Sequence, residues 1–391
     1  MTKNARHAVA APNVFDGVAV LPEHAVVIEG AHIVDVVPAD SLPSSMPVLE
    51  LGGDTWLAPG FIDVQVNGGG DVLFNDAPSA SAINTIAAAH RRYGTTGILP
   101  TLISDTHDKM CAAMLAAQAA AADNPSVLGI HFEGPFLSPG KPGVHNPQMF
   151  RKPDAADLEL LTGWPAGNVL VTLAPEQVPL EFIAALSQAG VRVSLGHSMA
   201  TYDETQAALQ SGMTGFTHLF NAMRPIGSRE PGPITAALEA PAAWFGMIVD
   251  GVHVNPEVLR IALRGYGHPM LVTDAMPPVG GKRGSFTLYG NEITVRDGRC
   301  TREDGTLAGA AIDMASCVRN TVRDLHVPLT KALCFASTEP AEFLGLGTVL
   351  GRLAPGFRAD MVAFEPFDVD VLETWVAGVP NEMAEQESAT G

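Results

Sequence analysis

Two histidines of this chain stand in matched contexts, His197 in VSLGHS and His218 in FTHLFNAM. An apolar run closed by a polar residue is typical of a buried parallel strand that ends at the working edge of its sheet. The gap between the two runs has the length of a helix, which predicts neighbouring strands of one β-α-β unit. Both imidazoles would then lie at one sheet edge and form a candidate metal site. The competing interpretation is two unrelated polar caps of buried strands.

A third metal ligand is supplied by Glu133, which closes another apolar run in VLGIHFEGPF. Two histidines and one carboxylate leave coordination positions open for water, as in catalytic rather than structural metal sites. A divalent ion bound there would lower the pKa of a coordinated water towards neutrality. Zinc and ferrous iron both suit this ligand set. We therefore predict a metal site formed by Glu133, His197 and His218.

Acid–base chemistry is predicted for Asp274 in LVTDAM, whose carboxylate would face the same edge. A carboxylate beside an activated water can take its proton and later deliver it to a leaving group. Asp274 could instead orient a histidine or act as a further ligand. His145, in GVHNP on the loop after the Glu133 strand, could polarise a substrate carbonyl. A lone loop histidine does not by itself establish that role.

Cations that could bind a phosphate follow two later strands. They are Arg229 in REPG and His253 in DGVHV, and arginine is suited to bidentate phosphate contacts. The backbone N–H groups of Asn221 and Ala222 could add to such a site, because a turn can present them outward. Surface salt bridging is the alternative for both cations.

The elements that must position these residues are eight apolar runs separated by helical patterns. Eight buried parallel strands alternating with helices predict a (β/α)8 TIM-like barrel, in which catalytic residues gather at the carboxyl ends of the strands. A doubly wound open sheet is the alternative, although no GxGxxG follows the first strand. The runs lie at 61–70, 97–104, 127–136, 169–176, 191–198, 215–223, 245–253 and 270–278.

Both chain ends carry short β-type runs, at 1–58 and 350–391, which are too short to form separate cores. We predict that they pair into one small, discontinuous β-sandwich domain, and that 59–349 forms the barrel. The alternative is that the two ends are independent additions to the barrel. A further β-like stretch at 282–300 contains Tyr-Gly-Asn and Arg-Asp-Gly turns. It predicts a hairpin inserted near the mouth of the barrel.

Composition excludes several classes of protein. The 391 residues are 47% hydrophobic and carry a formal net charge of −19, which argues against a nucleic-acid or anionic-membrane surface. The four cysteines form no CxxC pair, so neither a zinc knuckle nor a disulfide framework is indicated. The sequence offers no long apolar run, and we expect a cytoplasmic protein.

Taken in order, the motifs resemble those of the N-acetylglucosamine-6-phosphate deacetylases of the amidohydrolase superfamily. The matching segments, between Pro59 and about Pro355, are PGFIDVQVNG, HFEGPFLSP, GVHNP, LGHS, THLFNAM, REPG, DGVHV, LVTDAM and DGTLAGA. The resemblance implies hydrolysis of N-acetylglucosamine 6-phosphate to glucosamine 6-phosphate and acetate, in amino-sugar catabolism and cell-wall sugar recycling.

The resemblance also implies roles for individual residues. Glu133, His197 and His218 would hold the metal ion, Asp274 would be the general base and then the acid, and His145 would stabilise the oxyanion. The sugar phosphate would be bound by Asn221, Ala222, Arg229 and His253, and Leu307 would line the pocket for the acetyl methyl. The family's usual state implies a homodimer, in which the partner subunit could contribute a phosphate contact.

One departure from the wider superfamily concerns the first strand. Many amidohydrolases carry His-x-His there and bind a second metal ion, whereas this chain has Gln65 and Asn67. Neutral amides are poor replacements for imidazole ligands, so we predict one divalent metal ion per subunit. Alternative functions are deacetylation of N-acetylgalactosamine 6-phosphate, hydrolysis of a cyclic amide such as dihydroorotate, or a non-catalytic barrel used in assembly. The retained ligands and base disfavour the last of these.

Overall fold

The structure, a computed structural model, describes residues 6–165 and 167–381. Its strands are β1 (His7–Phe15), β2 (Val20–Glu29), β3 (His32–Pro38), β4 (Val48–Glu50), β5 (Trp56–Pro59), β6 (Phe61–Val66), β7 (Gly68–Gly69), β8 (Val72–Leu73), β9 (Thr95–Ile103), β10 (Gly129–Glu133), β11 (Asn168–Leu173), β12 (Arg192–Leu195), β13 (Gly215–Phe216), β14 (Trp244–Met247), β15 (His268–Leu271), β16 (Ser285–Leu288), β17 (Asn291–Arg296), β18 (Arg299–Thr301), β19 (Leu307–Ala310), β20 (Met361–Glu365), β21 (Asp370–Val376) and β22 (Val379–Pro380). Its α-helices are α1 (Ala80–Arg91), α2 (His107–Asp123), α3 (Ala155–Thr162), α4 (Leu180–Gln188), α5 (Tyr202–Gln210), α6 (Gly232–Glu239), α7 (Pro256–Ala262), α8 (Met314–Leu325), α9 (Leu329–Ala336) and α10 (Thr338–Leu344).

Eight strands form a parallel sheet in the order β6-β9-β10-β11-β12-β13-β14-β15. Its two edges meet, because Val66 and Ala275 form a parallel bridge and the Ala275 carbonyl accepts hydrogen bonds of 2.9 Å from the N–H groups of Asn67 and Gly68. Every residue of β6, β9 and β10 is buried, as expected for strands covered on both sides. The predicted barrel is confirmed, and the closed edges exclude the open doubly wound sheet.

Helices begin where the sequence supplies capping groups. The Thr106 side chain accepts a hydrogen bond from Lys109 N–H at the start of α2, and Thr201 with Glu204 forms a capping box at the start of α5. Such caps satisfy backbone donors that the first helical turn leaves unpaired. Helices α1, α2, α4 and α5 lie where helical patterns follow the predicted strands, and α3, α6 and α7 complete the alternation.

The two chain ends share one sheet of eight strands. Strands β22-β21-β20-β5-β1-β2-β3 lie in that order, and β4 pairs with β1. The ends join where β5 pairs antiparallel with β20, which confirms that both termini build one β structure. Ile33 of β3 and Trp375 of β21 lie near opposite ends of the sheet yet belong to one apolar cluster. The sheet therefore wraps around a common core, as a sandwich requires.

The predicted hairpin at 282–300 is part of a larger inserted sheet, the four antiparallel strands β16-β17-β18-β19. Its last strand reaches the barrel, because Ala310 N–H donates to the Asp274 carbonyl and Met276 N–H donates to the Ala310 carbonyl, both at 2.9 Å. The sequence prediction stopped short of β19 because Leu307–Ala310 has only four residues and lacks the apolar–polar alternation of a typical strand. This connection makes the inserted sheet a neighbour of the barrel's eighth strand end.

Two compact units divide the chain. One contains 64–89 and 98–313, and the other contains the described parts of 1–63, 90–97 and 314–391. The domain limits predicted from sequence, 1–58 with 350–391 against 59–349, stay a prediction. Within the described residues, no helix combines the length and apolar character needed to cross a membrane.

Candidate metal centre and active site

Three side chains at strand ends converge on one point. Glu133 Oε1 lies 3.1 Å from His197 Nε2 and 2.9 Å from His218 Nε2, and the two Nε2 atoms lie 3.0 Å apart. All three residues are buried, and they form a cluster able to hold a metal ion. Sequence reasoning placed these residues on the third, fifth and sixth strand ends, and the structure brings them together there.

The protonation of this cluster fits a bound cation. His197 Nδ1 lies 3.0 Å from the Lys141 carbonyl, which can only accept, so Nδ1 carries a hydrogen and Nε2 is the ring nitrogen placed to bind a metal ion. Burial alone would raise the pKa of Glu133, but the His197 and His218 side chains beside the carboxylate hold that pKa well below its ordinary value. A hydrogen on His218 Nε2 could be donated either to Glu133 Oε1 or to His197 Nε2, but not fully to both. A divalent ion would satisfy all three ligand atoms at once.

The strand ends adopt an unusual backbone conformation at the functional residues. His197, His218, Ala222 and Asp274 have φ values of 48°, 33°, 49° and 51°. The left-handed region is disfavoured for residues with a Cβ atom and is concentrated at functional sites. At these four residues the left-handed conformation bends the chain after the strand, and all four residues line the same pocket.

Asp274 is held by the two amides of the first strand. Its Oδ1 accepts hydrogen bonds of 2.6 Å from Asn67 Nδ2 and 3.2 Å from Gln65 Nε2. Burial and the charge of Glu133 raise the pKa of Asp274 to about 6, and a nearby cation would oppose that rise. The amides occupy the places of the superfamily's first-strand histidines, where they orient a carboxylate.

His145 enters the pocket from the loop after β10. Its Nε2 lies 3.9 Å from Glu133 Oε1, and its Nδ1 lies 3.3 Å from Ser104 N and 2.9 Å from Ser104 Oγ. Burial and the adjacent His197 hold the pKa of His145 well below its ordinary value, so the ring is neutral. Because a backbone N–H can only donate, Nδ1 is the acceptor and Nε2 carries the hydrogen. His145 therefore offers an N–H donor to the pocket.

A cavity of about 380 Å³ joins these groups to the residues predicted to bind substrate. Its wall on one side is β19, where Gly309 has φ of 64° and a Cβ atom would stand 2.8 Å from the Asp274 carbonyl oxygen. Only glycine fits this position. The predicted site residues that line the cavity are Glu133, His145, His197, His218, Asn221, Ala222, His253, Asp274 and Leu307.

Of the residues predicted to bind phosphate, some line the cavity and one does not. His253 lines the cavity, and its Nδ1 lies 2.6 Å from Asp250 Oδ2. Asn221 also lines it, but its backbone N–H donates to the His218 carbonyl at 3.0 Å. Arg229 lies on an exposed segment and is not among the residues around the cavity. Within one chain, the structure therefore brings together all predicted site residues except Arg229.

Sequence reasoning missed several residues that support the site. The Lys141 carbonyl and the Ser104 N–H act through contacts that leave no pattern in a single sequence. Asp250 did leave one, because an aspartate three residues before a histidine in a turn can bond its ring and its N–H, as here.

Comparisons with known proteins agree with this geometry. The amidohydrolase family model matches residues 56–383, and the model described as NagA composite domain matches residues 7–55. The N-acetylgalactosamine-6-phosphate deacetylase of Shewanella sp. (strain ANA-3) is 42% identical, over 84% of this chain and 84% of that protein. The N-acetylglucosamine-6-phosphate deacetylase of Haemophilus influenzae is 35% identical, over 92% and 95%.

A solved structure gives the same result for the fold. The crystal structure of N-acetylglucosamine-6-phosphate deacetylase from Pasteurella multocida superposes with a TM-score of 0.93 at 34% identity, covering 96% of this chain and 99% of that one. The resemblance found in the sequence motifs is confirmed across nearly the whole length. This chain belongs to the amidohydrolase family, alongside relatives that deacetylate N-acetylated amino-sugar 6-phosphates.

Proposed function

We propose that this protein hydrolyses the N-acetyl group of N-acetylglucosamine 6-phosphate, giving glucosamine 6-phosphate and acetate. One observation carries the proposal, the convergence of Glu133, His197 and His218 with Asp274 and His145 around one cavity. The activities of the relatives and the family membership support it. A cyclic-amide hydrolase is disfavoured for two reasons. The amides of Gln65 and Asn67 replace the first-strand histidines, and His253, which is paired with Asp250, lines the cavity as a candidate phosphate ligand.

Glu133, His197 and His218 would hold one divalent metal ion, zinc or ferrous iron. When bound, that ion supplies Lewis acidity that polarises the acetyl carbonyl and lowers the pKa of water. Asp274 takes a proton from the attacking water as the new C–O bond forms. His145 donates its Nε2–H to the carbonyl oxygen, on which negative charge develops. Asp274 then gives the proton to the amine nitrogen as the C–N bond breaks.

The sugar phosphate would lie at the other end of the cavity. The Asp250 carboxylate lies 2.6 Å from His253 Nδ1 and orients the ring, and the other ring nitrogen, Nε2, would contact a phosphate oxygen. Asn221 and Ala222 border the same end, and Leu307 would contact the acetyl methyl. Arg229 is exposed and lies outside the cavity lining of its own chain, which favours a contact across a subunit interface. We propose a homodimer in which Arg229 reaches the phosphate bound by the other subunit.

N-acetylgalactosamine 6-phosphate is the second candidate substrate, because the Shewanella relative at 42% identity acts on it. The two sugars differ only at C4, and the residues that perform the chemistry would be the same. Acetate release should be measured with both phosphorylated sugars and with unphosphorylated N-acetylglucosamine. We expect the highest kcat/KM with N-acetylglucosamine 6-phosphate. A higher kcat/KM with the galactosamine compound would favour the second candidate, and no release from any of the three would refute both.

A cytoplasmic location and a role in amino-sugar catabolism and cell-wall sugar recycling follow from this proposal. The metal would be identified by elemental analysis of protein produced without added metal. Zinc or iron at one equivalent would agree with the ligand set.

A further inference from the structure

His145 is held on three sides by residues outside its own loop. Ser104 approaches Nδ1 with its N–H and its hydroxyl. On the N-terminal side of His145, Arg302 Nη2 donates to the Val144 carbonyl at 2.8 Å. On the C-terminal side, the Tyr289 hydroxyl interacts with the backbone of Asn146. The residues on both sides of His145 in the chain are thus fixed by the inserted sheet.

Tyr289 also fixes the residue that orients the His145 ring. Its hydroxyl donates to the Ser104 carbonyl at 2.5 Å, and Ser104 is the donor to His145 Nδ1. If the Ser104 N–H moved away from Nδ1, the contact that makes Nδ1 the acceptor would weaken. The Tyr289 hydroxyl therefore connects the end of β9 with the loop that carries His145.

Tyr289 has a left-handed backbone conformation, which is unusual for a tyrosine. Tyr289 and Gly290 form the two-residue turn between β16 and β17, with φ values of 50° and 78°. Such turns favour asparagine, aspartate or glycine, because both positions are left-handed. A tyrosine there adopts a disfavoured conformation, and an outlier of this kind is a reason to look for function.

Packing fixes the inserted sheet itself in place. Leu288, Ile293 and Cys300 share one apolar cluster with Ile103 of β9 and Val144 of the His145 loop. The inserted sheet thus contacts both segments that its hydrogen bonds hold. Neither Tyr289 nor Arg302 lines the cavity, so neither is placed to contact a bound substrate directly.

We propose that Tyr289 and Arg302 are positioning residues that hold His145 with its Nε2–H directed into the active-site cavity. The catalytic consequence rests on the function proposed above, in which that N–H stabilises the developing oxyanion. A misdirected donor weakens an interaction made in the transition state, which lowers kcat and leaves substrate binding largely intact.

Kinetics with Tyr289→Phe test the hydrogen bonds of the Tyr289 hydroxyl, because this change removes the hydroxyl oxygen and keeps the ring. We expect kcat to fall about tenfold, in line with the loss of one hydrogen bond that orients a catalytic group. KM and metal content should stay unchanged. Tyr202→Phe is the matched control, since it removes a hydrogen bond of 2.8 Å to Glu239 away from the cavity. An unchanged kcat in Tyr289→Phe would overturn the proposal.

Arg302 is tested by a pair of substitutions. Arg302→Met removes the donor to Val144 and should lower kcat, whereas Arg302→Lys keeps one donor and should recover part of the loss. Arg260→Met removes an exposed ion pair with Glu257 and serves as control. Equal kcat losses in the methionine and lysine variants would contradict positioning through the hydrogen bond.

Coupling distinguishes positioning of His145 from a general effect on folding. In a His145→Ala background, Tyr289→Phe should cause no further loss of kcat, because its target is already absent. A further tenfold loss in that background would refute the proposal, since Tyr289 would then act on something other than His145.

The tautomer of His145 gives a readout that needs no substrate. Zinc-loaded protein labelled with 15N-histidine should show the Nε2–H form of His145, assigned by loss of the signal in His145→Ala. The Tyr289→Phe/Arg302→Met double variant should show a mixture of tautomers. A native signal in that variant would overturn the proposal. A mixture in the double variant together with no acetate release by the native protein would instead refute only the proposed function.

Discussion

The side-chain nitrogen Nε2 of Gln65 lies 3.2 Å from Asp274 Oδ1 and also 3.2 Å from Glu133 Oε2. One neutral amide thus links the predicted base to a predicted metal ligand. Histidines at positions 65 and 67 would instead offer imidazole ligands to a second cation. Here amide hydrogens satisfy the carboxylate oxygens, so their arrangement does not require a second ion.

The first prediction concerns metal stoichiometry. Native protein should retain about one equivalent of divalent metal per chain after gel filtration, because amides bind transition metals poorly. A Gln65→His/Asn67→His variant should retain more, approaching two equivalents, as measured by elemental analysis. Two tightly held equivalents in the native protein would contradict the single-ion site.

The second prediction concerns metal removal. Chelation removes an ion that would bind the folded protein through Glu133, His197 and His218, so thermal stability should fall. Since a ligand at a hundredfold its Kd adds about 2.7 kcal/mol, we expect Tm to drop by several degrees, roughly 5 °C. Differential scanning calorimetry before and after chelation, and again after zinc is restored, measures this change. A Glu133→Gln variant should show little response to zinc, whereas a response equal to the native one would place the ion elsewhere.

Much of this architecture could be predicted because buried parallel strands appear in the sequence as continuous apolar runs. Glu133, His197 and His218 each end such a run, and the rule that parallel strands share a carboxyl edge gathers them without further information. The same rule predicts the position of Asp274, which follows the apolar run of the eighth strand. Local patterns suffice where each residue is positioned by its own strand.

Other parts of the site depend on contacts that no local pattern records. Ser104 orients His145 through its backbone N–H, a group that every residue except proline possesses. The Lys141 carbonyl fixes the His197 tautomer regardless of the lysine side chain. The inserted sheet was predicted as a hairpin because Leu307–Ala310 lacks the alternation of a typical strand, and its pairing with the eighth strand end is a tertiary event.

The third prediction concerns the general base. Asp274→Asn should lower kcat about 10³-fold, within the usual range for losing a general acid–base group. Metal content should stay at the native value, because the three ligands are untouched. Asp123→Asn, at the end of α2, is a control that should keep native kinetics. Loss of metal from Asp274→Asn would favour the alternative in which Asp274 is itself a ligand.

The fourth prediction concerns phosphate recognition. His253→Gln should raise KM for N-acetylglucosamine 6-phosphate about tenfold or more, by removal of one charge-assisted contact. Activity on unphosphorylated N-acetylglucosamine should not change. Asp250→Asn should act in the same direction but less strongly, because the carboxylate that accepts from His253 Nδ1–H is replaced by an uncharged amide. His32→Gln, in an exposed position of β3, is the control. Equal losses on both sugars would argue against a phosphate contact.

The fifth prediction concerns Arg229, which the chain itself does not bring to the cavity. If the residue serves the neighbouring subunit, Arg229→Ala should raise KM for the phosphorylated sugar while kcat stays near the native value. Mass measurement in solution should also show a dimer. A monomer with native activity would exclude this role.

Hybrid dimers of Arg229→Ala and Asp274→Asn chains separate the two possible origins of that effect. The Arg229→Ala chain keeps its own Asp274 and would borrow Arg229 from its partner, so one site in each hybrid should recover the native KM. If Arg229 acts within its own chain, the hybrid keeps the raised KM, because its only chain with a working base lacks the arginine. Each parental protein, assayed alone at the same concentration, gives the baseline. Recovery of native KM in the mixture would locate the phosphate contact across the subunit interface.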